Sequence, residues 1–330
     1  MDLTIAIAGV IVFAVIMYVV MDGFDLGLGI LFPFAGTEAD RHRMMNSVAP
    51  IWDGNETWLV LGGVVLFAAF PRAYGVLLPA LYLPVMVMLF GLVFRGVAFE
   101  FRFKAARRGP WNFAFAFGST IAAFAQGVVL GAYIDSFSSA GLERAGTLDW
   151  LSWFSLVTGA ALVVGYALLG ATWLVMKTEG SLQRWAFRAA MPACLLVCVF
   201  IAIVSLWTAF LNPQISARWF RWPNIAYLWI VPFVTGLVCL KLLDSLRRGD
   251  ETLPFVLAVA IFLLCYAGLG ISLWPIIIPP NISIWDAAAS EASQTFLAAG
   301  LAVILPITLG YIAYSYYVFR GKVADESGYH

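Results

Sequence analysis

Residues 3–24, LTIAIAGVIVFAVIMYVVMDGF, form an apolar run long enough to cross a bilayer, with one acid, Asp22, near its end. Asp25 and a further greasy segment, Leu26–Phe34, follow at once. An aspartate at the centre of a membrane helix costs roughly 2.5 to 3.5 kcal/mol on insertion scales, so a carboxyl there must be neutralised, paired or watered. The same conflict recurs in residues 51–63, IWDGNETWLVLGG, which contain Asp53 and Glu56.

Working outward, the 330-residue chain is 62% hydrophobic and 12% charged, with a mean hydropathy of +0.91. Soluble domains average about 45 to 50% apolar and about 25% charged, so this is a polytopic integral membrane protein. At about 20 residues per span, nine segments are expected, at 3–24, 50–70, 74–99, 112–134, 150–176, 186–211, 224–243, 253–278 and 294–319. Backbone polar groups must be satisfied inside lipid and the runs lack a strand's alternation, so the spans are helices and the class is all-α. Met1 and Asp2 precede the first run without a basic segment, so that span is expected to be retained. The connections, the longest at 100–111 and 135–149, are too short for a soluble domain. A single integral membrane domain, 1–330, is expected, with a first bundle over about 1–135 and the remaining helices over about 150–320. Two four-helix bundles and one extra helix fit this order. Gly62, Gly63, Gly91, Gly118, Gly127, Gly131, Gly159 and Gly165 would allow close helix contact.

Orientation follows from the basic residues, which stay cytoplasmic in short loops. Nine spans place Arg72, Arg144, Arg218 and Arg221 on one side and the other fifteen of the nineteen Lys and Arg on the opposite one. The N-terminus is therefore expected outside and the C-terminus in the cytoplasm. The net charge of zero says nothing about a nucleic-acid partner, and with no basic patch interleaved with aromatics none is expected. Cys194, Cys198, Cys239 and Cys265 lie in spans without zinc-like spacing and read as packing residues.

With this topology, the end of span one and the start of span two reach the same cytoplasmic depth. Asp22 with Asp25, and Asp53 with Glu56, are each spaced i, i+3, on one helix face. Span three brings Arg95 and Glu100 to the same side as charge partners. A guanidinium holds a nearby carboxylate ionised, whereas an acid without such a partner can load and release protons, which together make up a proton path. The structural alternatives are a surface turn at Gly23, Gly27 and Gly29 for the first pair, and an N-terminal cap with first-turn acids for the second. Trp52 and Trp58 read as interface anchors or packing around the site. Ile284-Trp285-Asp286 echoes Ile51-Trp52-Asp53, and Asp286 is expected to cap the last helix. The only histidines are His42 in a basic loop and His330 at the final residue, so the chain is not expected to build a haem or metal site by itself.

In Met21-Asp22-Gly23-Phe24-Asp25-Leu26-Gly27, Asn46-Ser47-Val48-Ala49-Pro50, Trp52-Asp53-Gly54-Asn55-Glu56-Thr57-Trp58-Leu59, Leu66-Phe67-Ala68-Ala69-Phe70-Pro71 with Tyr74, Phe94-Arg95, Phe99-Glu100-Phe101-Arg102 and Trp285-Asp286-Ala287-Ala288, the chain resembles subunit II of the cytochrome bd-type quinol oxidases. Asn-Glu-Thr-Trp and Ala-Phe-Glu-Phe-Arg look most like the cyanide-insensitive branch. The resemblance implies a complex in the bacterial cytoplasmic (inner) membrane that oxidises quinol and reduces O2 to water. It also implies a partner, subunit I, that carries haem b and haem d. This chain would then be a haem-free accessory subunit that stabilises its partner and lines a cytoplasmic-side proton path. The family's path residues carry over first to Asp53 and then to Asp25; Glu56 departs from other branches, which hold a neutral residue there, and Asp22 ranks last. Membrane lipid, a structural quinone and small single-span subunits are further contacts such complexes admit. A proton-coupled secondary transporter acting alone and a purely structural scaffold are the rival readings of the acids.

Overall fold

The computed structural model describes residues 2–136, 146–211 and 213–323. Arg144 and His330 lie outside the described residues. Helix α1 (Leu3–Leu31) leads through a short 3₁₀ turn, Phe32–Phe34, to α2 (Glu38–Asn46), α3 (Trp52–Ala69), α4 (Pro71–Ala80), α5 (Tyr82–Arg102) and α6 (Gly109–Asp135). Then come α7 (Trp153–Lys177), α8 (Gly180–Leu211), α9 (Pro213–Phe220), α10 (Asn224–Leu228), α11 (Ile230–Arg248) and α12 (Leu253–Leu273). A two-stranded antiparallel ribbon, β1 (Ile276–Ile278) and β2 (Ile282–Ser283), precedes α13 (Ile284–Ala287) and α14 (Glu291–Val318).

The all-α membrane class holds: among the described residues, eight helices are long and apolar enough to cross a bilayer. The segment expected as the second span is α3, only 18 residues long, whose first turns hold Asp53, Asn55 and Glu56 and make it less apolar than those eight. Span three is interrupted: α4 ends at Ala80 and α5 restarts at Tyr82, between Pro79 and Pro84. A proline has no N–H to donate and its ring crowds the preceding turn, so two of them bracket the break.

The largest correction concerns α1. It continues to Leu31, well beyond the expected end at residue 24, and every residue from Met21 to Gly29 is buried. The surface turn proposed for Gly23, Gly27 and Gly29 therefore does not form. Those glycines thin one side of a continuous helix instead. A Cβ on Gly27 would lie 1.9 Å from the carbonyl oxygen of Tyr166, and one on Gly170 would lie 2.5 Å from the Gly27 carbonyl carbon, so α1 and α7 cross backbone to backbone. Gly91 with Gly118 forms the equivalent seam between α5 and α6, and Gly127 with Gly159 that between α6 and α7. Gly63, by contrast, faces open space.

These seams make α1 the central helix, packed against α3, α6 and α7, while α5 packs on α6, α8 and α12 on α7, and α14 on α3. Asp286 does not cap the last helix as expected. Its carboxylate accepts from the Ser283 backbone N–H and hydroxyl in a capping box on α13, and Ser290 caps α14.

Gly27→Ala should lower the thermal unfolding midpoint of the detergent-solubilised protein, by the equivalent of about 1 to 3 kcal/mol for overpacking. Gly9→Ala, with nothing within 4 Å of the added carbon, should leave the midpoint unchanged or raise it slightly. Tryptophan fluorescence during heating measures both.

Candidate functional site

The buried half of α1 carries Asp22 and Asp25, 0% and 2% exposed. Their i, i+3 spacing turns them about 60° apart, so they address different neighbours. Asp22 faces α5, where the 1% exposed Arg95 divides its guanidinium between two helices. Its Nη1 donates to Asp22 Oδ1 at 2.5 Å and its Nη2 to Glu56 Oε2 of α3 at 3.0 Å. The Arg95 guanidinium also lies 5.9 Å from the Trp52 ring, which stacks on Phe99 at 5.2 Å. Asp25 faces α3 and α14: Asn55 Nδ2 donates to Asp25 Oδ2 at 2.8 Å, and the Tyr316 hydroxyl donates to Asn55 Oδ1 at 2.9 Å.

Two carboxyls thus share one guanidinium, and a third, Asp25, lies beside them without an ion pair; both aspartates are buried, while the Glu56 side chain is partly exposed. If all three were ionised, two negative charges would be uncompensated at a cost of several kcal/mol per ion, so charge balance calls for protons on the cluster. Asp22 Oδ2 and Asp25 Oδ1 are buried with no hydrogen-bond partner, which leaves room for such protons. A groove of about 230 Å³ between α3 and α14, bordered by Gly54, Thr57, Thr308 and Tyr311, opens on the outside of the helices. A narrower crevice of about 10 Å³ borders the same Gly54 and Tyr311 and reaches Asn55 and Tyr316; that is about the room one water needs.

Of the residues expected at the site, Asp22, Asp25, Glu56 and Arg95 come together. Asp53 does not join them: it is exposed in the first turn of α3, and the shared face expected for Asp53 and Glu56 is not formed. Only Glu56 reaches Arg95, because a 60° offset is enough to put one side chain against α5 and the other outside the fold. Glu100 is exposed and is not the partner of an acid-cluster residue. The charge at that end of α5 is Arg102, fully buried, whose Nη2 donates to Glu38 Oε2 at 2.8 Å and whose Nε donates to Asn112. Burial alone would raise the Glu38 carboxyl, but the hydrogen bond from Arg41 and the charges of Arg102 and Arg41 hold it below the usual glutamate range. This tie of α2 to α5 is present at neutral pH and lost as pH falls through that lowered range. Trp58 is 0% exposed and packs edge-on to Phe13 at 5.5 Å, as core and not as an interface anchor.

Sequence reasoning missed Asn55, Tyr18, Gln126, Tyr166 and Tyr316. Gln126, an isolated amide inside an apolar run, was a legible signal. Tyr316 was not, since it sits among Tyr311, Tyr314 and Tyr317 with nothing to distinguish it.

A family model described as cytochrome bd terminal oxidase subunit II matches residues 3–319. The chain belongs to the cytochrome bd oxidase subunit II family. It is 27% identical to the cytochrome bd-I ubiquinol oxidase subunit 2 of Escherichia coli K12, covering 94% of this chain and 92% of that one. It is 28% identical to the cytochrome bd ubiquinol oxidase subunit 2 of Bacillus subtilis 168, covering 93% and 92%. In fold it resembles a chain of the bd oxidase from Geobacillus thermodenitrificans, with a TM-score of 0.79, 18% identity and coverage of 96% and 97%. As a bd oxidase subunit II it is a multi-pass membrane component of a quinol:O2 oxidoreductase complex, and its partner is subunit I.

Arg95→Met in this subunit II should destabilise the chain by about 3 to 5 kcal/mol, because it strands Asp22 and Glu56. The double variant Arg95→Met/Asp22→Asn should recover part of that loss. Yield and thermal unfolding of the solubilised complex report both.

Proposed function

We propose that this chain is the haem-free subunit of its oxidase, that it holds subunit I in place, and that it delivers protons from the cytoplasmic side of the bacterial inner membrane to the site of O2 reduction. The observation that carries this is three carboxyls around one guanidinium, with a crevice leading from the outside of α3 and α14 to Asn55. Arg95 and Asp22 act as the fixed ion pair. Asp25 and Glu56 take up and pass on the mobile proton, and Asp53, exposed at the start of α3, collects it. Reduction of O2 to water consumes protons, so a buried route that does not carry electrons suits a subunit beside the redox centres.

The assignment of haem b and haem d to subunit I rests on the family and on the donors this chain offers. His42 lies on α2 with its ring against Phe103 at 5.3 Å, outside the spans. The orientation with the N-terminus outside is part of the same proposal, as are two four-helix bundles within one domain, and lipid, quinone or small single-span subunits at the outer faces.

A purely scaffolding role also has an observation behind it, since the Arg95 fork ties α1, α3 and α5 together. Asp25→Asn decides between them, because Asp25 makes no ion pair. Under the proton-delivery reading, O2 consumption per haem falls at least about tenfold while haem absorbance and assembly stay at wild-type levels. Asp53→Asn should lower turnover in the same way. Wild-type turnover per haem between about pH 6 and 8 in both assembled variants would leave the scaffold reading standing.

A further inference from the structure

The crevice between α3 and α14 ends on Asn55 and Tyr316, and the first of these is hydrogen-bonded to Asp25. Asn55 is 0% exposed, and its Nδ2 has two acceptors, Asp25 Oδ2 at 2.8 Å and the Met21 carbonyl oxygen at 3.3 Å. A backbone carbonyl can only accept, so the atom facing Met21 has to be the nitrogen, and this fixes which way round the amide lies. Both amide hydrogens are then assigned, one to Met21 and one to Asp25. The oxygen end meets the Tyr316 hydroxyl at 2.9 Å, and because an amide oxygen can only accept, Tyr316 is the donor. Tyr316 is itself held from beyond: the Lys177 ammonium caps the end of α14 one turn further on, donating to the Phe319 carbonyl at 2.8 Å and the Gly321 carbonyl at 3.1 Å.

The consequence falls on the two oxygens of Asp25. In a neutral carboxyl the carbonyl oxygen is the better acceptor and the hydroxyl oxygen the poorer one, so the oxygen that takes the amide hydrogen keeps the double bond. Oδ2 is therefore the carbonyl oxygen. Oδ1, buried with no hydrogen-bond partner, is left to carry the proton.

We infer that Asn55 is a positioning residue of the oxidase: held by Met21 and Tyr316, it reserves Oδ2 of Asp25 as an acceptor and places the mobile proton on Oδ1. This rests on the proton-delivery reading above. The charged and titratable groups around Asp25 are Asp22 on its own helix, Glu56 on α3, Arg95 on α5 and Tyr316 on α14. Tyr166 of α7, joined to Tyr18 through Gln126 of α6, packs on Gly23 and Gly27, while α12 presents Phe255 to Phe24.

The test uses the intact complex and two readouts, the pH profile of O2 consumption per haem and the infrared difference spectrum between acid and neutral pH. Asn55→Leu removes the donor and should move the profile by about half a pH unit or more, the size expected from one hydrogen bond, at unchanged haem content. The carboxyl band that Asp25→Asn removes from the spectrum should move to higher frequency in Asn55→Leu, because the Oδ2 carbonyl loses its hydrogen bond. Tyr316→Phe should act in the same sense by a smaller amount, and should add nothing in the Asn55→Leu background, since it works only through the amide. A packing role alone would change yield or thermal stability and leave band and profile in place. A wild-type profile in Asn55→Leu, a band that stays where it is, or the absence of any band assigned to Asp25 overturns the inference. Should Asn55→Leu fail to assemble, Tyr316→Phe is read in its place, and wild-type behaviour there overturns it equally. Turnover of Asp25→Asn separates the two levels: if it is lowered while Asn55→Leu behaves as wild type, only the role of Asn55 falls. If Asp25→Asn also turns over as wild type, the proton-delivery reading falls and takes that role with it.

Discussion

Everything around the site depends on one buried guanidinium. Arg95 stays charged at any relevant pH, it is 1% exposed, and no water shell can compensate it. It must be met by carboxylates, and the nearest come from two other helices, Asp22 on α1 and Glu56 on α3. The fork thereby fixes the rotation of three helices about their axes. Dispersion between greasy faces would tolerate many rotations, because lipid is as apolar as leucine and offers little preference for one packing over another.

That interaction is possible only because the backbones come close. Gly27 against Gly170, Gly91 against Gly118 and Gly127 against Gly159 draw α1, α5, α6 and α7 together, backbone against backbone, around the buried charges. The glycine seams and the ion pair are two halves of one design: the first excludes water, and the exclusion makes the second strong. The same exclusion makes surplus carboxyls costly, and this cost gives the cluster its affinity for protons.

Much of this was legible in the residues. Membrane class and helical state followed from length and hydropathy, and Asp22, Asp25, Glu56 and Arg95 were picked out as charges with nowhere apolar to go. The ranking of the acids was not legible. Asp53 looked the most important and is exposed, while Asp22 looked the most expendable and is the ion-pair partner of Arg95. Helical spacing reports which residues share a face within about 60°, but not which neighbour that face meets. Gln126 and Tyr316 join the network across more than a hundred residues of chain, a distance at which no local pattern constrains them.

The sequence by itself determined that the chain spans a membrane as helices, since unsatisfied backbone in lipid leaves no other solution for these runs. It also determined that a small set of charges must be compensated inside. Only the tertiary structure decided how: α1 runs on to Leu31, Arg95 divides itself between Asp22 and Glu56, and Asp25 is left to the Asn55 amide, which Tyr316 holds in turn. The physical reason is that pairing energy in a low-dielectric interior depends on distances of a few ångströms between separate helices, and those distances are set by packing, not by composition.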